Sequence, residues 1–207
     1  MALAEKYDIL ILEDNPYGDL RFSGEDVPTY KSMDRDGRVI YCGSFSKVLS
    51  SGMRIGFLCA NRDILSKIVV AKQVEDVHTN VFFQMVCAKY LSECDLEAHI
   101  AGIRNMYRHK AGLMISALEE NMPASVSFTR PEGGIFLWCS LPEGKSLDEF
   151  VKRAGEKNVF VVPGTAFTAD PAEPSRSFRL NYSMPTDEEI VRGIKILADI
   201  ARDMGCE

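Results

Sequence analysis

The sequence predicts an α/β fold whose sheet-bearing first part gives way to a smaller α+β unit. Three observations carry that reading. Four consecutive large aliphatics, Ile9 to Leu12, stand in "YDILILED", as in a strand covered on both faces of a parallel sheet; "RVIYCGS" and "MRIGFLCA" are shorter runs of the same kind. A long helical region follows, "RDILSKIVVAKQVEDVH", "VFFQMVCAKYLSE" and "LEAHIAGIRNMYRHKAGLMISALEENMP". Its apolar residues recur at helical spacing until Asn121 and Pro123 stop it. Beyond it the style changes to short strands, "SVSFT", "GIFLWCS", "VFVVPG" and "SFRLNYS", mixed with the helices "SLDEFVKRAGEKN" and "TDEEIVRGIKILADIARDM". The last helix is opened by a capping box from Thr186 to Glu189. The boundary is expected in the long helix, giving units of residues 1–104 and 105–207, with that helix as a bridge.

Composition bounds what such a chain does. With 207 residues, 46% hydrophobic and 26% charged, it can bury a sizeable core. A formal charge of −6 without any Lys/Arg cluster argues against nucleic acid as a partner. No apolar run approaches the roughly 20 residues of a bilayer span, and "MALAEKYDIL" lacks the basic start and apolar stretch of a signal peptide, so no membrane partner and a cytoplasmic location are expected. The six cysteines, at 42, 59, 87, 94, 139 and 206, form no Cys-x-x-Cys pair, which speaks against a metal site or disulfide framework. Apolar contexts such as "GFLCA" and "FFQMVCA" suggest small buried hydrophobes instead.

Functional groups in open α/β sheets converge just beyond the carboxyl ends of the strands. Asp14 and Tyr17 follow the first strand in "LEDNPYG", Ser44, Ser46 and Lys47 follow the second in "CGSFSK", and Arg54 lies at the entry to the third. A lysine partly withdrawn from water beside another cation is a usable amine nucleophile, able to form a Schiff base. Arg54 can hold phosphate oxygens bidentately while Ser44 and Ser46 donate hydrogen bonds. An aldehyde carrying a phosphate satisfies both halves.

Plainer readings stand beside these. Asp14 could be a turn former, Ser44 and Ser46 could bond local backbone, and Arg179 could be a surface ion-pair partner. Gly133 and Gly134 suit either a close approach to substrate or a simple turn before "IFLW". His78, His99 and His109 show no partner spacing and read as structural or exposed, and Trp138 reads as core.

With these residues in view, the chain resembles the second half of a fold type I, class I/II pyridoxal-phosphate-dependent aminotransferase. The resemblance rests on S-x-S-K followed seven residues later by Arg and then Gly, here Ser44, Ser46, Lys47, Arg54 and Gly56, with Asp-x-x-Tyr upstream and "RLNYS" downstream. The stretches "EDNPYGDLRF", "EGGIFLW" and "VVPGTAF" are most similar to the 2-aminoadipate and broad-specificity branch, which also includes the cofactor-binding domain of MocR-type regulators. The resemblance implies a partial large domain followed by a small α+β domain, with pyridoxal 5'-phosphate as cofactor. It implies amino-group transfer between an L-amino acid and a 2-oxo acid by a ping-pong route through pyridoxamine phosphate, in a homodimeric full-length parent.

Residue by residue, it makes Lys47 the covalent anchor and proton shuttle, and Asp14 the partner of the pyridine nitrogen. Tyr17 becomes a hydrogen-bond donor to the phenolic oxygen. Ser44, Ser46 and Arg54 become the phosphate cup, and Arg179 the clamp on the substrate α-carboxylate. Ser51 stands where the family usually has proline. Complete members place a glycine-rich phosphate loop, a ring-stacking aromatic and an asparagine upstream of the Asp-bearing strand. The chain is therefore expected to be a fragment with uncovered apolar faces and poor cofactor binding, with a PLP-binding sensor domain or an inactive fragment as alternatives.

Overall fold

The structure is a computed structural model that describes residues 1–170 and 172–207. It divides into two compact units, Met1–Ile103 and Arg104–Glu207. Helices and β-sheets occur in both, and among the described residues no helix is long and apolar enough to cross a membrane.

In the first unit, helix α1 (Ala2–Tyr7) ends at Asp8, whose left-handed backbone turns the chain into strand β1 (Ile11–Asp14). β1 pairs in parallel with β2 (Val39–Ser44), Asp14 standing opposite Cys42. The connection between them is fixed by two carboxylates. Glu13 accepts from the backbone N–H groups of Tyr30 and Lys31 at 2.9 and 2.8 Å. Asp34, its side chain only 1% exposed, accepts from the N–H groups of Arg38 and Val39 and from the Lys31 ammonium at 2.9, 3.0 and 3.0 Å. Burial pushes the Asp34 carboxyl up, but these donors and the Lys31 charge more than offset it and hold the group at about 2.

Strand β3 (Gly56–Cys59) runs antiparallel to β2, with Ser44 opposite Gly56 and Cys42 opposite Leu58, so the sheet is mixed rather than all parallel as the apolar runs had suggested. Glycines make the pairing possible. A Cβ on Gly43 would lie 2.2 Å from the Phe57 ring, and one on Gly56 would lie 2.9 Å from the Gly43 carbonyl. The antiparallel sense has a consequence for function: the start of β3 lies at the same end of the sheet as the ends of β1 and β2.

Helices α2 (Arg62–Glu75) and α3 (Val81–Glu93) are opened by Asn61 and Asn80, which accept from the N–H groups of Ile64 and Phe83. Much apolar surface in this unit is exposed: Leu12 and Phe57 on the sheet, Val70 and Val74 on α2, Phe82 and Met85 on α3. Helix α4 (Leu96–Asn121) opens here and continues into the second unit.

The second unit holds an antiparallel sheet in the order β4 (Ser127–Phe128), β5 (Phe136–Ser140), β7 (Ser177–Asn181), β6 (Val162–Pro163). Period-two alternation divides its faces. Leu137, Cys139, Phe178 and Leu180 are buried, as are Phe150 and Ala154 of α5 (Leu147–Glu156) and Ile190, Ile194, Leu197 and Ala201 of α6 (Asp187–Asp203). The Phe150 and Phe178 rings meet at 4.8 Å between centroids. The predicted capping box is present: Thr186 Oγ1 accepts from the Glu189 N–H and Glu189 Oε2 from the Thr186 N–H.

Two sequence readings need correction. Trp138 is half-buried on the opposite sheet face, where its ring meets Phe167 edge-on, and is not core. Cys59 is exposed and not a buried hydrophobe, because β3 leaves its residues open to solvent; Cys94, outside any apolar run and just past the end of α3, is exposed too. Cys87, Cys139 and Cys206 are buried as expected, and burial pushes the Cys139 thiol up to about 12.

Candidate active site

Six of the seven expected site residues lie in the first unit at one end of its sheet. Asp14 closes β1 and Ser44 closes β2. Ser46 and Lys47 occupy the turn that follows, closed by the Leu49 N–H donating to the Phe45 carbonyl at 2.8 Å. Arg54 precedes β3 with φ 55°, a left-handed conformation that costs a non-glycine residue about 1 kcal/mol or more. Its guanidinium Nη1 stands 3.5 Å from Ser46 Oγ and donates to the Ser51 carbonyl at 3.2 Å. The Lys47 ammonium lies 5.7 Å from the centroid of the Tyr17 ring.

Among the described residues, Asp14, Lys47 and Arg54 form no ion pair with one another or with any other residue. One negative and two positive side chains left without ion-pair partners at one sheet end are unusual for side chains serving only stability. The Asp14 carboxylate is felt by its neighbour: burial raises the Cys42 thiol, and Asp14 adds to the rise. Ser44 Oγ accepts from the Ser46 N–H at 3.1 Å, the local bond the plainer reading expected. An accepting hydroxyl keeps its own proton to donate, so that bond leaves Ser44 able to hold an anion. The donors fit a phosphate beside an aldehyde: two hydroxyls, a guanidinium without a carboxylate, and an amine.

Two further residues shape this end of the sheet. Asn15 Nδ2 donates to the Tyr41 hydroxyl at 3.2 Å, and its amide fills the space a Cβ on Gly18 would need. His99 Nε2 donates to the Val48 carbonyl at 2.8 Å, tying α4 to the lysine turn. The sequence reads His99 as structural or exposed and assigns it no partner, since the contact spans 51 positions.

Arg179 is described within the second unit. It lies on β7 between Trp138 of β5 and Val162 of β6, on the face opposite the core. Its guanidinium carbon sits 3.9 Å from the Phe136 ring centroid and 4.8 Å from that of Phe167. It makes no ion pair and no hydrogen bond with a described side chain, so the surface ion-pair reading fails. Tyr182, fully buried, donates from its hydroxyl to the Gly134 carbonyl at 2.9 Å, which binds the turn before β5 to the end of β7. Gly134 has φ 78°, the conformation for which glycine is needed.

The Aminotransferase class I and II family profile matches residues 1–197. The chain belongs to that family. The chain is 43% identical over 203 residues to aromatic-amino-acid aminotransferase 1 of Thermococcus litoralis, covering 98% of the chain and 48% of the relative. Among solved structures it superposes on the Pyrococcus horikoshii kynurenine aminotransferase, solved in complex with PMP, with a TM-score of 0.93 and 42% identity, covering 98% of this chain and 50% of that one. The α-aminoadipate aminotransferase of Thermus thermophilus, solved with N-(5'-phosphopyridoxyl)-L-leucine, gives 0.92 and 35% identity, with 98% and 52% covered. An HTH-type transcriptional regulator of Bacillus subtilis also matches, at 28% identity over 98% of the chain and 41% of the regulator. The chain therefore spans about half the length of the curated relatives it matches.

Proposed function

We propose that the protein carrying this chain transfers an amino group between an L-amino acid and a 2-oxo acid with pyridoxal 5'-phosphate, in two half-reactions that pass through the amino form of the cofactor. The observation that carries the proposal is the set of charges without ion-pair partners at one sheet end, Asp14, Lys47 and Arg54, beside the Ser44 and Ser46 hydroxyls. We further propose that the first unit belongs to the cofactor-binding domain and the second is the small domain.

When bound, the cofactor supplies an electron-accepting ring conjugated to the amino group in transfer. Arg54, Ser44 and Ser46 bind its phosphate. Lys47 provides the amine that anchors it, and then takes and returns the substrate Cα proton. Asp14 holds a proton on the ring nitrogen, Tyr17 orients the ring hydroxyl, and Arg179 takes the substrate α-carboxylate in a two-pronged grip.

A cofactor-sensing role, suggested by the regulator, would use the same phosphate and lysine contacts. The relatives favour the enzyme reading, with 43% identity to an aminotransferase against 28% to the regulator. Borohydride treatment of the full-length protein with pyridoxal phosphate is expected to leave the phosphopyridoxyl mass on the Lys47 peptide. Finding it instead on Lys67 or Lys72 removes the assignment.

A further inference from the structure

Arg179 is held in an unusual way for a strand arginine. One aromatic ring comes from the adjacent strand: Phe136 of β5, whose guanidinium distance is 3.9 Å. The other, at 4.8 Å, comes from a short 3-10 turn, Gly164–Phe167. That turn is set by close packing, since a Cβ on Gly164 would lie 2.7 Å from the Ser177 carbonyl. Phe167 is braced in turn by the Trp138 ring, 5.4 Å away and edge-on. Among the described residues, the Arg179 Nε is buried and has no hydrogen-bond partner.

A buried, unpaired guanidinium N–H is unfavourable unless something else holds the cation in place. Two ring faces supply that attraction, and they act on the plane of the guanidinium rather than on its N–H groups. The arrangement thus immobilises a planar cation while leaving its terminal nitrogens uncommitted. An arginine fixed beforehand loses less freedom on binding than one that must be ordered by its ligand.

We propose that Phe136 and Phe167 are positioning residues for Arg179, which hold its guanidinium so that Nη1 and Nη2, and not the sealed Nε, take a substrate carboxylate end-on. The proposal rests on the reading of Arg179 as the carboxylate clamp. It assigns a role to two aromatic residues that lie outside the lysine and phosphate cluster.

The test is an NMR titration of the 207-residue chain, isotopically labelled on arginine, with pyruvate as the carboxylate probe and methyl pyruvate as the ester control. In the unsubstituted chain the Arg179 Nε–H resonance is expected upfield from ring currents and unmoved by pyruvate, while the Nη protons shift. Phe136→Leu and Phe167→Leu are each expected to return the Nε–H resonance toward the free-arginine position and to weaken pyruvate binding about 3- to 30-fold. Phe136→Tyr, which keeps the ring face, restores both. Arg179→Lys separates the two ideas: undiminished pyruvate affinity there, or no Nη response in the unsubstituted chain, overturns the carboxylate reading and the proposal with it. If Arg179→Lys loses affinity but the leucine variants keep both the resonance and the affinity, or if pyruvate moves Nε–H as strongly as Nη, only the positioning role falls. Should Phe136→Leu fail to fold, the exposed Phe167 and the tyrosine variant give the same readout.

Discussion

Arg54 Nη1 reaches to 3.5 Å from Ser46 Oγ because β3 turns back along β2 and brings the residue before it to the sheet end where the lysine turn lies. Were β3 parallel, its entry would lie at the far end of the sheet. Arg54 pays for the position with φ 55°, so function and backbone preference oppose each other there. Arg54→Gly is expected to leave stability unchanged or raise it by about 0.5–1 kcal/mol, the relief of left-handed strain offset in part by the added freedom of glycine in the unfolded chain. The same change should weaken phosphate binding by at least about tenfold, the loss of one charge-assisted contact. Denaturant titration and phosphate competition read the two effects separately; a parallel fall in both would mean that Arg54 serves the fold.

Asp14 has no ion-pair partner among the described residues, although it closes a strand whose other carboxylate, Glu13, is fully engaged with backbone N–H groups. If its charge is kept for the ring nitrogen, it matters most where negative charge develops in the transition state. In the full-length enzyme, Asp14→Ala is expected to lower kcat on the order of 10²–10³-fold while cofactor affinity changes far less. Stopped-flow transamination alongside a cofactor titration checks this, and undiminished turnover would remove Asp14 from the mechanism.

The division between what could and could not be read from sequence is visible at these residues. Asp14, Ser44, Ser46 and Lys47 follow buried runs, and strand ends are where an α/β sheet gathers its groups, so their neighbourhood was legible. The direction of β3 was not, because an apolar run has the same pattern whichever way it points. A signal did exist: the 11 residues between Ser44 and Gly56 contain no helical pattern, and a parallel crossover needs about a dozen or more, usually with a helix. Trp138 was misplaced for a related reason. Alternation puts it on one of two faces, but only the burial of Leu137 and Cys139 says which face is the core. The aromatic grip on Arg179 joins residues 43 and 12 positions apart, beyond the reach of any local pattern.

Asp34 predicts an acid sensitivity of the first unit. Its carboxyl is held at about 2 in the folded chain against an ordinary value of 3.8, so the anion is favoured by folding. The contribution is complete above the ordinary value and is lost as pH falls from 3.8 toward 2. Asp34→Asn keeps the shape but removes the charge from two backbone N–H groups and the Lys31 ammonium, and is expected to cost about 2 kcal/mol at neutral pH. The difference in unfolding free energy between the two proteins should shrink toward pH 2; a constant gap from pH 7 to pH 2 would contradict the assignment.

His99 makes the last prediction. Its Nε2–H donates to the Val48 carbonyl, one residue beyond Lys47, and its ring meets Tyr90 edge-on with centroids 5.7 Å apart. A carbonyl can only accept, so the bond requires a proton on Nε2. Val48 is buried, so its side chain anchors the turn from below while His99 holds its carbonyl. Removing the donor leaves the carbonyl to find water and lets the turn loosen. His99→Ala is expected to cost about 1 kcal/mol of stability. Because an amine displaced by about 1 Å can react on the order of 10²-fold more slowly, it should also slow covalent capture of pyridoxal phosphate at Lys47 well beyond that small loss. His99→Gln, with an N–H of similar reach, should recover most of both. The measurement is the rate of borohydride-trapped phosphopyridoxyl on the Lys47 peptide of the full-length protein, set beside its thermal midpoint. Capture at the original rate in the alanine variant would show that the turn holds Lys47 in place without His99.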